Sequence, residues 1–219
     1  EWPSWHPRPE GRRVRFSISF ALMLFVALVA PADSLAQAWM SAAGGVMIPL
    51  GDYKDYTKTG WLARVGFDVP LGDAGSVGEA YVGATGYYGS NKHRDVEGDR
   101  TNLYGALGHL GFAYRVAEAA VVPSTFLLLG SMTHKYRSDS SPEDSATSLA
   151  LGGGAGLGFP LLGRVGGMIE AWYVSGLGDN KDTQIAGVDV GIRIPLGGPP
   201  LPGCPFLSQL CVPMPSRRP

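Results

Sequence analysis

Between positions 60 and 71 the chain alternates. Trp61, Ala63, Val65, Phe67 and Val69 form one set, and Leu62, Arg64, Gly66 and Asp68 the other. A period of two marks a strand, because successive side chains leave opposite faces of a pleated backbone. One face is wholly apolar, with an aromatic near each end. The other holds an Arg and an Asp.

The pattern recurs. Segment 39–50 sets Val46, Ile48 and Leu50 among small residues. Segment 77–88 opposes Ala80, Val82, Ala84, Gly86 and Tyr88 to Glu79, Tyr81, Gly83, Thr85 and Tyr87. Segment 101–116 opposes Tyr104, Ala106, Leu110, Phe112, Tyr114 and Val116 to Leu103, Leu107, His109, Ala113 and Arg115. Segment 122–134 contains Phe126 to Leu129, apolar on both faces, so its facing is ambiguous. Segment 145–159 carries Leu149, Leu151, Ala155, Leu157 and Phe159 opposite small residues. Segment 164–174 opposes Val165, Ile169, Ala171 and Tyr173 to Arg164, Met168, Glu170 and Trp172. Segment 182–195 opposes Ala186, Val188, Val190, Ile192 and Ile194 to Ile185, Asp189 and Arg193.

The connections alternate too. Stretches 51–59, 89–100, 135–144 and 175–181 are polar or charged; those between them are shorter and plainer. Outer-membrane barrels have long extracellular loops, short periplasmic turns and an even strand count. The expected fold is therefore all-β, an antiparallel up-and-down transmembrane β-barrel of about eight strands. In this reading the apolar rows meet lipid, Tyr104 and Tyr114 mark the two interfaces, and the charged rows meet inside. A barrel of about eight strands has an interior just filled by side chains, and charges buried there must be paired. The expected lumen network sets Arg64, Arg115, Arg164 and Arg193 against Asp68, Glu79, Glu170 and Asp189, with His109 among them. The rival architecture is a soluble sandwich or lipocalin-like barrel, in which the apolar rows face inward.

Composition narrows the class. The chain has 219 residues, 32 of them Gly, with 17% charged residues and a net charge of -1. Low charge and high Gly without a long apolar run suit an all-β chain. The neutral balance gives no reason to expect nucleic acid as a partner. Arg12, Arg13 and Arg15 precede an apolar run at 16–30, then Ala36-Gln37-Ala38, a small-x-small site. The run is shorter than the roughly 20 residues a spanning helix needs. Basic, apolar and small-x-small in that order predict a secretory signal peptide; an amphipathic or anchored helix is the alternative. The expected organisation is a presequence at 1–38, a barrel at 39–196 and a Pro-rich periplasmic tail at 197–219.

Catalytic chemistry has little support. There is no H-E-x-x-H, P-loop or G-x-S-x-G motif. His109 with Glu170 and a Ser would be the material for a hydrolase, but no local motif joins them, and a structural role is favoured. No catalytic, metal or cofactor site is expected. Cys204 and Cys211 either close a disulfide loop in an oxidising compartment or remain two thiols.

Four features together resemble the small outer-membrane β-barrel proteins, the group that includes the opacity proteins and the barrel domain of outer-membrane protein A. They are the signal peptide, the Gly45-Val46-Met47-Ile48-Pro49-Leu50-Gly51-Asp52 opening, the Gly60-Trp61 start of the second segment and the Val188-to-Pro195 ending. The resemblance covers about Trp39 to Leu196. It implies an eight-stranded barrel in the outer membrane of a diderm bacterium, with lipid as its surroundings. Members serve as adhesins, surface-exposed structural proteins, occasional narrow pores and a few lipid-modifying enzymes. The expected role is a monomeric structural or adhesin-like barrel whose loops meet an extracellular ligand or host surface; a narrow pore and a lipid-A-modifying enzyme are the alternatives. The ending departs from the family, whose last strand usually closes on an aromatic. Here it stops at Ile194-Pro195-Leu196 and a Pro-rich tail follows.

Overall fold

The computed structural model describes residues 38–96, 98–116, 120–137, 144–162, 164–178 and 183–196. The presequence and the tail with Cys204 and Cys211 lie outside these residues, so the signal peptide and the disulfide stay expectations.

Eight strands form one closed antiparallel barrel in sequential order. They are β1 (Trp39–Leu50), β2 (Gly60–Asp73), β3 (Gly78–Lys92), β4 (Arg100–Tyr114), β5 (Val122–Arg137), β6 (Asp144–Leu162), β7 (Val165–Gly176) and β8 (Gln184–Pro195). One helical turn, α1 (Tyr53–Tyr56), sits in the connection between β1 and β2. β1 and β8 close the ring, from Trp39 opposite Pro195 to Leu50 opposite Gln184. Closure removes every open strand edge, so no ladder group is left facing hydrocarbon.

The facing is that of a membrane barrel. Along β2, Val65 is 61% exposed while Leu62 is 2% exposed. Along β8, Val190 is 58% exposed and its neighbour Asp189 only 1%. The ambiguous fifth segment resolves the same way: Leu127 points out, and Ser124, Phe126 and Leu128 point in. An apolar belt outside and carboxylates inside is the reverse of a lipocalin. Aromatics flank the belt. Trp61 and Tyr88 meet at a tilt, 5.5 Å apart, near the loop end, with Tyr104 opposite Tyr88. Phe112 and Tyr114 meet edge-on at 5.1 Å near the turn end. A lipid-facing charge tests this facing. Val65→Arg, near the middle of β2, is expected to cost about 2–4 kcal/mol of unfolding free energy in vesicles, and Val116→Arg, just past β4, about 0–1.

Strand ends differ from the sequence expectation in two ways. At the loop end the ladders run on into polar sequence: Lys92 pairs with Arg100, and Tyr136 with Asp144. Polarity marks where lipid ends, not where backbone pairing ends. At the turn end β2 and β6 continue through Pro70 and Pro160, where the register slips before Gly72 and Leu162. Proline lacks an N–H and fits a bulge. Val69, beside the first bulge, is buried instead of joining the outward row. Gly75, at φ 68, makes the tight turn that follows.

Candidate functional site

The lumen is filled in layers. Toward the loop end lies an apolar layer of Met47, Leu62, Tyr87, Leu103, Leu107, Phe126, Leu128, Met132, Ala150, Trp172, Val174 and Ile185. Every one of the eight strands supplies a side chain to it. Toward the turn end Trp39, Tyr81 and Ala113 form a smaller cluster, with Val122 against it. Between them lies the charge layer.

Two groups make up that layer. In the first, Arg64 on β2 reaches across the lumen to Glu170 on β7, and its Nη2 lies 3.1 Å from Oδ1 of Asp189 on β8. Arg193 Nη2 donates to Glu170 Oε1 at 2.6 Å. Trp172 Nε1–H donates to Asp189 Oδ2 at 2.8 Å. In the second group His109 on β4 bonds Asp68 on β2, and Trp39 Nε1–H donates to Asp68 Oδ2 at 2.7 Å. β3 lies between β2 and β4, and Gly83 occupies the crossing point. A Cβ there would collide with both Asp68 and His109, so the missing side chain is the space in which the two meet. A cavity of about 20 Å³ separates the groups, lined by Ser41, Arg64, Thr85, His109, Glu170 and Arg193 among others. That is room for about one water.

The expected members take different places in the barrel. Arg64, Asp68, His109, Glu170, Asp189 and Arg193 are brought together. Glu79 is buried on the inner face of β3 near the turn end. Two of the arginines lie outside the strands. Arg164 is exposed in the turn before β7, which begins at Val165, so the pleat does not set its direction. Arg115 lies one residue beyond β4 and donates to the Gly75 carbonyl in a neighbouring turn. Beside the arginines, His109 and two indole N–H groups serve the carboxylates. The indoles were the missed partners. Both Trp39 and Trp172 stand at inward pleat positions, which was the signal that could have found them.

A pattern of aromatics over glycines holds the layers. Tyr81 lies opposite Gly111, Tyr87 opposite Gly105, Phe126 opposite Gly154 and Trp172 opposite Gly187. At each of these glycines a Cβ would strike the facing ring. Rings that lie over a glycine on the next strand fill the lumen without forcing the barrel wider.

At the loop end, α1 is laid over the mouth. Tyr53 packs against the apolar layer, 6.0 Å and edge-on from His134. Arg94 Nε donates to the carbonyls of Lys54 at 2.9 Å and Thr57 at 3.1 Å, and Asn91 Nδ2 to that of Lys58 at 2.7 Å. His93 Nε2 shares a 2.8 Å hydrogen bond with Thr101 Oγ1, and Tyr136 bonds Asp99. Burial pulls the His93 pKa below the ordinary imidazole value, against the opposing pull of Asp99 and Asp95. Among the described residues no group of three His, Cys, Asp or Glu side chains is placed to hold a metal ion.

Neither a protein-family model nor a curated protein sequence matches the chain. Solved structures do. Neisserial surface protein A aligns with a TM-score of 0.56 at 14% identity, over 73% of this chain and 96% of that one. Ail, the attachment invasion locus protein of Yersinia pestis, aligns at 0.46 and 17% identity, over 73% and 99%. The outer membrane enzyme PagL aligns at 0.42 and 18% identity, over 73% and 99%. The chain has the fold of the small eight-stranded outer-membrane β-barrels.

Proposed function

We propose that the chain is an outer-membrane barrel with a plugged, salt-bridged lumen, and that it serves a structural or surface-interaction role through extracellular loops. The observation that carries this reading is the filled interior. Side chains from all eight strands pack into one apolar layer, and the charges beneath it are tied to one another. Such a barrel offers the outside its loops, not a passage. The surface-interaction part draws support from the loop residues Lys54, Asp55, Tyr56, Arg94, Asp95 and Val96, all of which are exposed. The names of similar proteins include both a surface protein and an enzyme. Geometry favours the first: His109 is held by Asp68 beside a cavity too small for a lipid.

Two measurements test the reading. Planar-bilayer recordings of the purified barrel are expected to show no steady conductance; reproducible unitary currents would replace the plug with a pore. An epitope inserted after Val96 is expected to bind antibody on intact cells. Labelling only after the cells are opened would remove the extracellular role.

A further inference from the structure

At the loop end of the lumen, Asn91 on β3, His134 on β5 and Ser148 on β6 belong to the inner rows of their strands. Each stands opposite a buried residue: Thr101, Leu103 and Met132 in turn. Three buried atoms here have no hydrogen-bond partner: Asn91 Oδ1, His134 Nε2 and Ser148 Oγ. Asn91 cannot turn to mend this, because its Nδ2 is committed to the Lys58 carbonyl at 2.7 Å and the Met47 carbonyl at 3.4 Å. The roof is α1. Its Tyr53 ring meets the His134 ring edge-on and rests on the apolar layer.

The seat of α1 is therefore a balance. The Tyr53 ring on the apolar layer holds it down, as do the bonds from Arg94 and Asn91 to its carbonyls. Dry polar atoms beneath it oppose, because a buried polar group without a partner costs free energy that water would return. Of the three, only His134 changes charge near neutral pH. A proton on it would place a charge in this dry level. Leu103 and Ala146 flank it on β4 and β6, and Tyr53 covers it from α1. Asp144 stands one pair further out on β6, opposite Tyr136. Asp99 is bonded to Tyr136, and His93 to Thr101. Asp52, Lys54, Asp55, Lys58, Arg94 and Asp95 are exposed. Among the described residues no carboxylate is bonded to His134 Nε2.

We propose that α1 is an acid-released cap and that His134 is its switch: the neutral imidazole stays beneath the seated Tyr53, and the protonated one draws in water as Tyr53 leaves. Opening and proton uptake go together. The seated form is complete above the ordinary imidazole midpoint of about 6.5. As pH falls below it, the ratio of open to seated rises about tenfold for each pH unit, the consequence of one proton bound on opening. The lumen beneath stays filled. What acid changes is the surface that the first connection shows to the outside, not a passage. This inference rests on the packing under α1 and not on what the loops bind.

The test measures a distance in the full barrel, refolded into phosphatidylcholine vesicles in a Cys204→Ser/Cys211→Ser background. One spin label replaces Asp55 on α1 and the other Arg100 at the rim of β4, both exposed. Distances are recorded by pulsed resonance between about pH 8 and about pH 4.5, a range that spans the imidazole midpoint. The expected result is a single short distance at the upper end that gives way, below the midpoint, to a longer and broader one. His134→Leu is expected to hold the short distance throughout. His134→Gln replaces it where the leucine variant fails to fold, with gel mobility reporting the folded barrel. His93→Gln, which removes the other histidine at this end, is expected to keep the response. An unchanged distance across the range in the parent would overturn the proposal. So would an acid response that survives without His134, or a His93→Gln variant that stays seated in acid.

Discussion

Replacing Arg64 with Met is expected to lower the unfolding free energy by about 3–5 kcal/mol, the cost of breaking a buried ion pair from one side. Arg64 is the guanidinium that joins β2 to Glu170 and Asp189 across the lumen. Without it Asp189, fully buried, keeps only the Trp172 N–H, and Glu170 keeps Arg193 at 2.6 Å. Asp189 would then hold its charge with no arginine in contact, in a medium where charge is poorly solvated. Arg64→Lys should fall between, because it keeps the positive charge but on a shorter stem and as a strongly hydrated ammonium that is costlier to bury. The triple variant Arg64→Met/Glu170→Gln/Asp189→Asn should recover much of the loss, since the penalty comes from orphaned charge more than from the missing attraction. Urea midpoints of the refolded barrel, read by gel mobility, measure all three. Equal stability of Arg64→Met and the parent would mean that the charge layer is wet and screened.

Gly187→Val is expected to destabilise by about 1–3 kcal/mol, the cost of overpacking a filled interior. Strand propensity alone gives the opposite sign, because Val is among the best strand formers and Gly among the worst. The sign therefore separates the two accounts. Gly187 lies opposite Trp172, and a Cβ there would overlap the indole. The ring would have to move, and its N–H would leave Asp189. Trp172→Ala in the same background should remove most of the added cost of the valine, because the ring it strikes is gone. Additive effects of the two substitutions would contradict the packing described.

Much of this architecture could be read along the chain because a barrel wall has one repeating rule. At Val65, Tyr88 and Val190 the alternation of outward and inward residues is unbroken, and the structure places each where its parity requires. The rule fails where its premise does. Arg164 and Arg115 sit outside the strands, so parity says nothing about them. Val69 stands next to a slip in register. Phe126 to Leu129 is apolar in both parities, and only pairing with β4 and β6 decides that Leu128 goes in and Leu127 out. The layering of the lumen was hidden for a different reason. Tyr87, Leu103, Met132 and Ile185 come together only when eight separate strands are set at a common height. Register is a property of pairs, and no single strand states it.

The direction of the apolar rows carries everything else, and it can be measured residue by residue. Spin labels placed singly at 188 to 192, in a Cys204→Ser/Cys211→Ser background refolded into vesicles, report collision with oxygen dissolved in lipid and with a water-soluble nickel reagent. Val188, Val190 and Ile192 are expected to collide with oxygen and to be shielded from nickel, while 189 and 191 are shielded from lipid. The opposite alternation, with 189 and 191 facing lipid or with 188, 190 and 192 shielded from both reagents, would place the apolar face inside and contradict the account.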